Sequence, residues 1–139
     1  MTLLGFDYGT QKIGVAVGQT VTHTAQPLDT ICVRKSIPAW NHVDKLVKEW
    51  QPQGLVVGLP LSAAGEETAM CDEVRQFGAA LEHRYNLPVY WIDESLTTKA
   101  ALGALRSVGA SRVQQERERD RVAAQLILET FLHQQNSLA

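Results

Sequence analysis

Two apolar runs, residues 2–8 (TLLGFDY) and 12–18 (KIGVAVG), stand back to back with only Gly9-Thr10-Gln11 between them. Each is long enough for a strand. Three residues with a glycine can reverse the chain, but they are far too few for the crossover that joins parallel strands. The chain is therefore committed at its start to an antiparallel pair, and a purely parallel sheet is closed to it. A third strand is expected within 22–33, where Ile31, Cys32 and Val33 are β-compatible.

Beyond Pro38 the period becomes helical. Val43, Leu46, Val47 and Trp50 form an i, i+3, i+4, i+7 stripe with the proline near the first turn, and Met70, Val74, Phe77 and Leu81 form a second stripe. GLVVGLP at 54–60 and PVYWID at 88–93 are short, apolar runs that read as buried strands. Leu102, Leu105 and Val108 mark a third helix stopped by Gly109, and after a polar stretch at 110–118 a last helix carries Ala123, Ala124, Ile127, Leu128 and Phe131. A meander followed by strand–helix alternation predicts an α/β fold, one mixed sheet covered by helices. Ligands of such sheets bind beyond the carboxyl ends of the parallel strands.

Carboxylates are expected at that edge. Asp7 comes near the end of the first run and Asp93-Glu94 ends another, while Asp120 precedes Ala123, Ala124 and Ile127 by three, four and seven positions, on the apolar face of the last helix. Burying one carboxylate is costly, and several together repel one another. A divalent cation relieves both costs: such oxygens suit Mg²⁺ or Mn²⁺, and about three carboxylates can hold one or two ions for phosphodiester hydrolysis. Singly, each acid has an ordinary role open to it. Asp7 fits a turn cap beside Gly9, Asp93-Glu94 a helix cap shared with Ser95, Thr97 and Thr98, and Asp120 an acid favoured by the helix dipole.

Composition narrows what such a site serves. A chain of 139 residues, 45% hydrophobic and 20% charged, is expected to fold as a single domain over 1–139. No run approaches the roughly 18 apolar residues of a membrane span, and the start lacks a signal-peptide pattern, so a cytoplasmic protein with no membrane partner is expected. Cys32 and Cys71 lack a CxxC partner and read as reduced, buried hydrophobes, and His23, His42, His83 and His133 lack zinc-ligand spacing. The net charge of −2 argues mildly against a general nucleic-acid binder, yet residues 99–121 carry six basic and three acidic side chains, a local +3. That stretch suits a phosphate-facing patch as well as a solvated helix start. Trp50 and Trp91 are expected in the core, with Trp40 open to packing or to base stacking.

The stretches LLGFDYGTQKIGVAVG, VVGLPLSAAGEET, DESLTT and DRVAAQLILETFL, in this order and over essentially the whole chain, resemble the successive motifs of the YqgF family, also called RuvX, a ribonuclease H-like group. The resemblance implies a ribonuclease H-like domain whose five-stranded mixed sheet has the order 3-2-1-4-5. It implies a metal-dependent nuclease that processes the 5′ end of pre-16S ribosomal RNA; the family's alternative is a Holliday junction resolvase acting on branched DNA. Carried over by position, the catalytic metal ligands are Asp7, Glu94 and Asp120, for Mg²⁺ or Mn²⁺. Asp93 stands in reserve, because neighbours on a strand point opposite ways. Gly9 is expected to permit a tight turn and the approach of a phosphate, and Arg117 and Arg119 to grip it, while Thr10 fits a phosphate contact and a plain hairpin-turn threonine equally well. Gly58-Leu59-Pro60 with Gly65 fits either a substrate-side loop or a plain strand-end turn.

Structured RNA and ribosomal precursor particles are the implied partners of a monomer or weak homodimer. Two departures stand out. The family commonly reads Asp-Glu-Arg where this chain has Asp93-Glu94-Ser95, and its lysine-rich loop is here an arginine stretch interleaved with Glu116 and Glu118. Other classes remain to be weighed. GFDYGT is similar to the first phosphate loop of actin, Hsp70 and sugar kinases, but those close two domains around ATP and the length here suits one. A non-catalytic RNA-binding or ribosome-assembly module that keeps the acidic cluster is the remaining alternative.

Overall fold

The computed structural model describes residues 1–61, 64–93 and 112–138, with the backbone alone at 112–120 and 135–138. The opening hairpin forms as its spacing requires. β1 (Thr2–Asp7) and β2 (Lys12–Gln19) pair antiparallel from Thr2↔Gln19 to Asp7↔Gly14. A Cβ at Gly9 would stand 2.6 Å from the Lys12 carbonyl oxygen, so the turn between them tolerates only glycine there. β3 (Thr24–Arg34) continues the meander, and the two-residue β4 (Ile37–Pro38) turns back on it. After α1 (Trp40–Trp50), β5 (Gly54–Leu59) lies parallel to β1; after α2 (Ala69–Tyr85), β6 (Val89–Asp93) lies parallel to β5. The last described helix is α3 (Arg112–Leu138).

The sheet order is β4-β3-β2-β1-β5-β6. Without β4 this is the expected 3-2-1-4-5, so the sheet is six-stranded rather than five-stranded. The extra strand escaped the sequence because its two-residue turn, Lys35-Ser36, has positive φ at both positions (52° and 62°) without the glycine or asparagine that usually marks such a turn. Pro38, expected in the first turn of a helix, instead ends this edge strand, where a missing N–H costs nothing.

Strand alternation sends side chains to two cores. Leu4, Phe6, Val15, Leu55 and Val57 face α1 and α2, where they meet Val43, Leu46, Val74, Phe77 and Leu81. Leu3, Ala16, Ala25, Val56 and Ile92 face α3 and meet Ala124, Ile127, Leu128, Phe131 and Leu132. On this second face the helix lies close: a Cβ at Gly5 would come 2.9 Å from Leu128 Cβ and 3.3 Å from the Ala124 carbonyl oxygen, and one at Gly18 would come 2.8 Å from Leu128 Cδ2.

Three expectations need correction. The last helix begins at Arg112, not after residue 118, because a stretch of Gln, Glu and Arg has good helix propensity even without an apolar stripe to announce it. Trp50, expected in the core, is 37% exposed: it is the last residue of α1, followed by Gln51 in the left-handed conformation, and it lines a shallow recess with Val17, Gln19 and Gln26. Cys32 is exposed although Cys71 is buried, since it alternates with the inward Ile31 and Val33. Trp91 does pack inward, its ring lying over Gly78 of α2, where a Cβ would approach it to 2.3 Å. The helix expected at Leu102, Leu105 and Val108 lies outside the described residues.

Candidate active site

β1 is flanked by β2 on one side and β5 on the other, so Asp7, its last residue, is held at the carboxyl end of a strand that is paired along both edges. The carboxylate-bearing residue is half-buried, between the buried Phe6 and Tyr8. By alternation it shares a side with Leu3 and Gly5, the side covered by α3. Phe6 is level with Val57 in the parallel register, which puts Gly58 beside Asp7 on the same face and leaves that neighbouring place without a side chain.

The direction of α3 follows from its two close approaches. Ala124 and Leu128 lie over Gly5, and Leu128 also lies over Gly18, a neighbour of Leu3 across the hairpin. The helix therefore runs antiparallel to β1, its earlier residues toward Asp7. Four helical residues rise about 6 Å and two strand residues advance about 6.6 Å. Stepping back one turn from the Ala124–Leu128 stretch that lies over Gly5 thus matches stepping forward from Gly5 to Asp7, and the helix turn at 120–124 comes level with Asp7. The side chains of Asp120, Arg117 and Arg119 lie outside the described residues, although their backbone is helical.

Glu94 also lies outside the described residues; its neighbour Asp93 ends β6 at the same edge as Asp7. Asp93 has the parity of Val89 and Trp91, which pack toward α2, and so faces away from Asp7. Gly9 and the exposed Thr10 form the β1–β2 turn just beyond Asp7, and the close contact with Lys12 accounts for the glycine by itself. Gly58 belongs to β5, paired with Ile92, and not to the loop that follows. In that loop Gly65 takes a positive φ of 80°, and the Pro60 carbonyl accepts bonds from the Thr68 hydroxyl (3.1 Å) and the Cys71 thiol (3.4 Å), which tie it to the start of α2.

Sequence reasoning missed a polar pair on the other face of the same strand end. The Tyr8 hydroxyl donates to Glu73 Oε1 of α2 at 3.2 Å. Burial, then the charge and the bond of Glu73, raise the Tyr8 pKa above its ordinary value, so the phenol stays a neutral donor. The one available signal was that Tyr8 follows Asp7 on a strand and must point the opposite way.

A family model described as "RuvX: Holliday junction resolvase" matches residues 1–134. The chain is 48% identical over 130 residues to a protein of Pseudomonas aeruginosa (strain UCBPP-PA14) named "Putative pre-16S rRNA nuclease", covering 94% of this chain and 90% of that one. It is 47% identical over 134 residues to a protein of the same name from Aeromonas hydrophila subsp. hydrophila, covering 96% of each. Among solved structures, T. thermophilus RuvC in complex with a Holliday junction substrate superposes with a TM-score of 0.55 at 19% identity, covering 98% of this chain and 96% of that one. The Fowlpox virus resolvase with its junction DNA gives 0.60 at 8% identity, covering 97% and 99%. At such identities the likeness establishes the fold, the ribonuclease H-like arrangement.

Proposed function

The chain belongs to the RuvX family, and on that premise we propose that it cuts its substrate at the carboxyl edge of β1, β5 and β6, with the 5′ end of the 16S ribosomal RNA precursor as that substrate. It is a nuclease, a hydrolase whose substrate is nucleic acid. One observation supports the choice of edge: α3 is seated closely on Gly5 and runs antiparallel to β1, which brings its turn at 120–124 toward Asp7.

The donor set fits a hard divalent cation. Asp7 offers carboxylate oxygens from a half-buried place beside Gly58, which brings no side chain of its own. Asp7, Glu94 and Asp120 would hold Mg²⁺ or Mn²⁺, with Asp93 set aside because it faces α2. When bound, such an ion supplies Lewis acidity and lowers the pKa of water. The chain's own part is positioning. Pairing on both edges of β1 fixes the Asp7 backbone, and Arg117, three residues before Asp120 on the same helical stripe, is suited to hold a phosphate oxygen. Arg119 and the exposed Thr10 hydroxyl are further phosphate donors. Ser95, in place of the family's arginine, makes that grip depend more on α3.

The family's description favours a second reading, resolution of branched DNA junctions. Two symmetric cuts need two sites, hence two copies of the chain. No described helix is long and apolar enough to cross a membrane, and the cytoplasm is the proposed location. The deciding measurement is cleavage of a 5′-extended 16S precursor RNA and of a four-way DNA junction, each with Mg²⁺, Mn²⁺ or chelator. Metal-dependent cutting of the RNA is expected, falling at least about a thousandfold in Asp7→Asn, roughly 4 kcal/mol of transition-state stabilisation, with an unchanged thermal midpoint. Near-normal cutting by that variant would overturn the assignment of the edge. Cutting of the junction alone would move the function to recombination, and silence on both with clean RNA binding would leave an assembly module.

A further inference from the structure

A cavity of about 360 Å³ opens on the sheet face opposite Asp7, lined by Tyr8, Ser36, Trp40, Glu73, Gln76 and Phe77 among others. It lies at the same edge as Asp7. β3, antiparallel to β2 as β1 is, runs parallel to β1, so its end and the Lys35-Ser36 turn reach the carboxyl edge. Asp7 and Tyr8 are consecutive and point to opposite faces, one to the cutting edge and one into the cavity.

The lining has a definite chemistry. Three aromatic side chains form its apolar wall: the buried Tyr8 and Phe77 stand 5.1 Å apart between centroids, and Trp40 lies against Phe77 at 5.8 Å and 28° with the Arg84 guanidinium over its ring at 5.3 Å. Glu73, half-buried and held by the Tyr8 hydroxyl, is the one acid among the described lining residues, and no cation is among them. The Glu73 carboxylate disfavours a phosphate there, since Arg84 at the Trp40 ring is already engaged by Asp44, whereas a flat, neutral ring with hydrogen-bond donors is welcome. The carboxylate accepts at two oxygens with about four lone-pair sites, so the single Tyr8 hydrogen leaves room for a bidentate partner.

We infer that this cavity takes an unpaired guanine of the nucleic-acid strand cut at Asp7, read by the Glu73 carboxylate at its N1–H and N2–H. The inference rests on the nuclease reading of the edge. Guanine is the one common base with two adjacent donors on its pairing edge. Adenine and cytosine set an acceptor beside their amino group, and uracil flanks its single N–H with two carbonyls. Gln76, one turn after Glu73 on α2, carries an amide suited to the guanine O6.

Ligand-observed NMR on the full chain with guanosine, inosine and adenosine tests this without requiring cleavage. Guanosine should bind, inosine, which lacks the 2-amino group, about tenfold more weakly, and adenosine more weakly still. Glu73→Gln, which keeps the side chain's size, should erase the preference for guanosine. Ala80→Phe, which fills the cavity from its half-buried wall, should block all three nucleosides. Asp7→Asn should keep guanosine binding while losing cleavage. Equal binding of guanosine and adenosine overturns the inference, as does guanosine binding untouched by both cavity variants. Preference for arginine methyl ester over guanosine overturns it too, by giving the cavity to a protein side chain. Selective guanosine binding in an Asp7→Asn protein that still cuts would overturn the edge assignment and not the cavity.

Discussion

The two faces of the sheet are built from different materials. Toward α1 and α2 the core is large and aromatic, with Phe6, Tyr8, Trp40 and Phe77 in contact, and the helices are stapled at their outer side by Arg84, whose Nε and Nη2 donate to the two oxygens of Asp44 at 2.7 Å each. Toward α3 large side chains such as Ile127, Leu128 and Phe131 also pack, but where the helix crosses β1 and β2 the sheet offers only small residues, Gly5, Ala16, Gly18 and Ala25, against Ala124. Bulky residues hold a helix at arm's length and leave irregular space, from which the cavity at Tyr8 arises. Small residues let a helix backbone come down onto the strands, which sets a helix position level with Asp7. One face stores stability and a recess, and the other sets a distance.

Deletions and additions should therefore behave differently on the two sides. Leu81→Ala, at a fully buried position of the α2 core away from the cavity, should cost about 2–5 kcal/mol in denaturant unfolding while leaving cleavage per folded molecule intact. A cleavage loss beyond the unfolded fraction would erase the division of labour. Gly5→Val should cost less, about 1–3 kcal/mol of overpacking, yet lower cleavage far more than its stability loss predicts, because the added carbons push against Leu128 and the Ala124 carbonyl. Cleavage falling only in step with the folded fraction would show that the close seat of α3 does not set the site.

The smallest effect belongs to the outer staple. The Arg84 bond, then the Tyr85 hydroxyl at 2.6 Å, lower the Asp44 pKa to about 2. A carboxylate with a folded pKa below its unfolded one stabilises above the ordinary carboxylate range, and that contribution fades as pH falls from about 4 toward 2. Both partners are exposed by about two-fifths and screened by solvent, so the gain is slight. Asp44→Asn should lower the thermal midpoint by a few degrees at most at neutral pH and flatten its fall between pH 4 and 2. An unchanged acid limb would mean that the pair contributes nothing in solution.

Much of this architecture is legible before any coordinates. The hairpin at 2–18, the apolar runs at 54–60 and 88–93, and the stripes of α1 and α2 declare themselves because local spacing governs them: three residues can only make a turn, and a period of 3.6 can only bury one face of a helix. Asp7 stood out for the same reason, as a charge closing an apolar strand. What depends on contact between distant segments is silent in the letters. β4 closes through a turn without its usual residues, Trp50 falls at the end of its helix and Cys32 on the outward side of its strand, and the early start of α3 carries no apolar period. The side on which Asp93 falls, the meeting of Tyr8 with Glu73 across 65 positions, and the descent of α3 onto Gly5 were decided by tertiary packing alone. Sequence sets periods and charges along the chain, but the separation between two elements is fixed by the side chains that fill it, and those come from both.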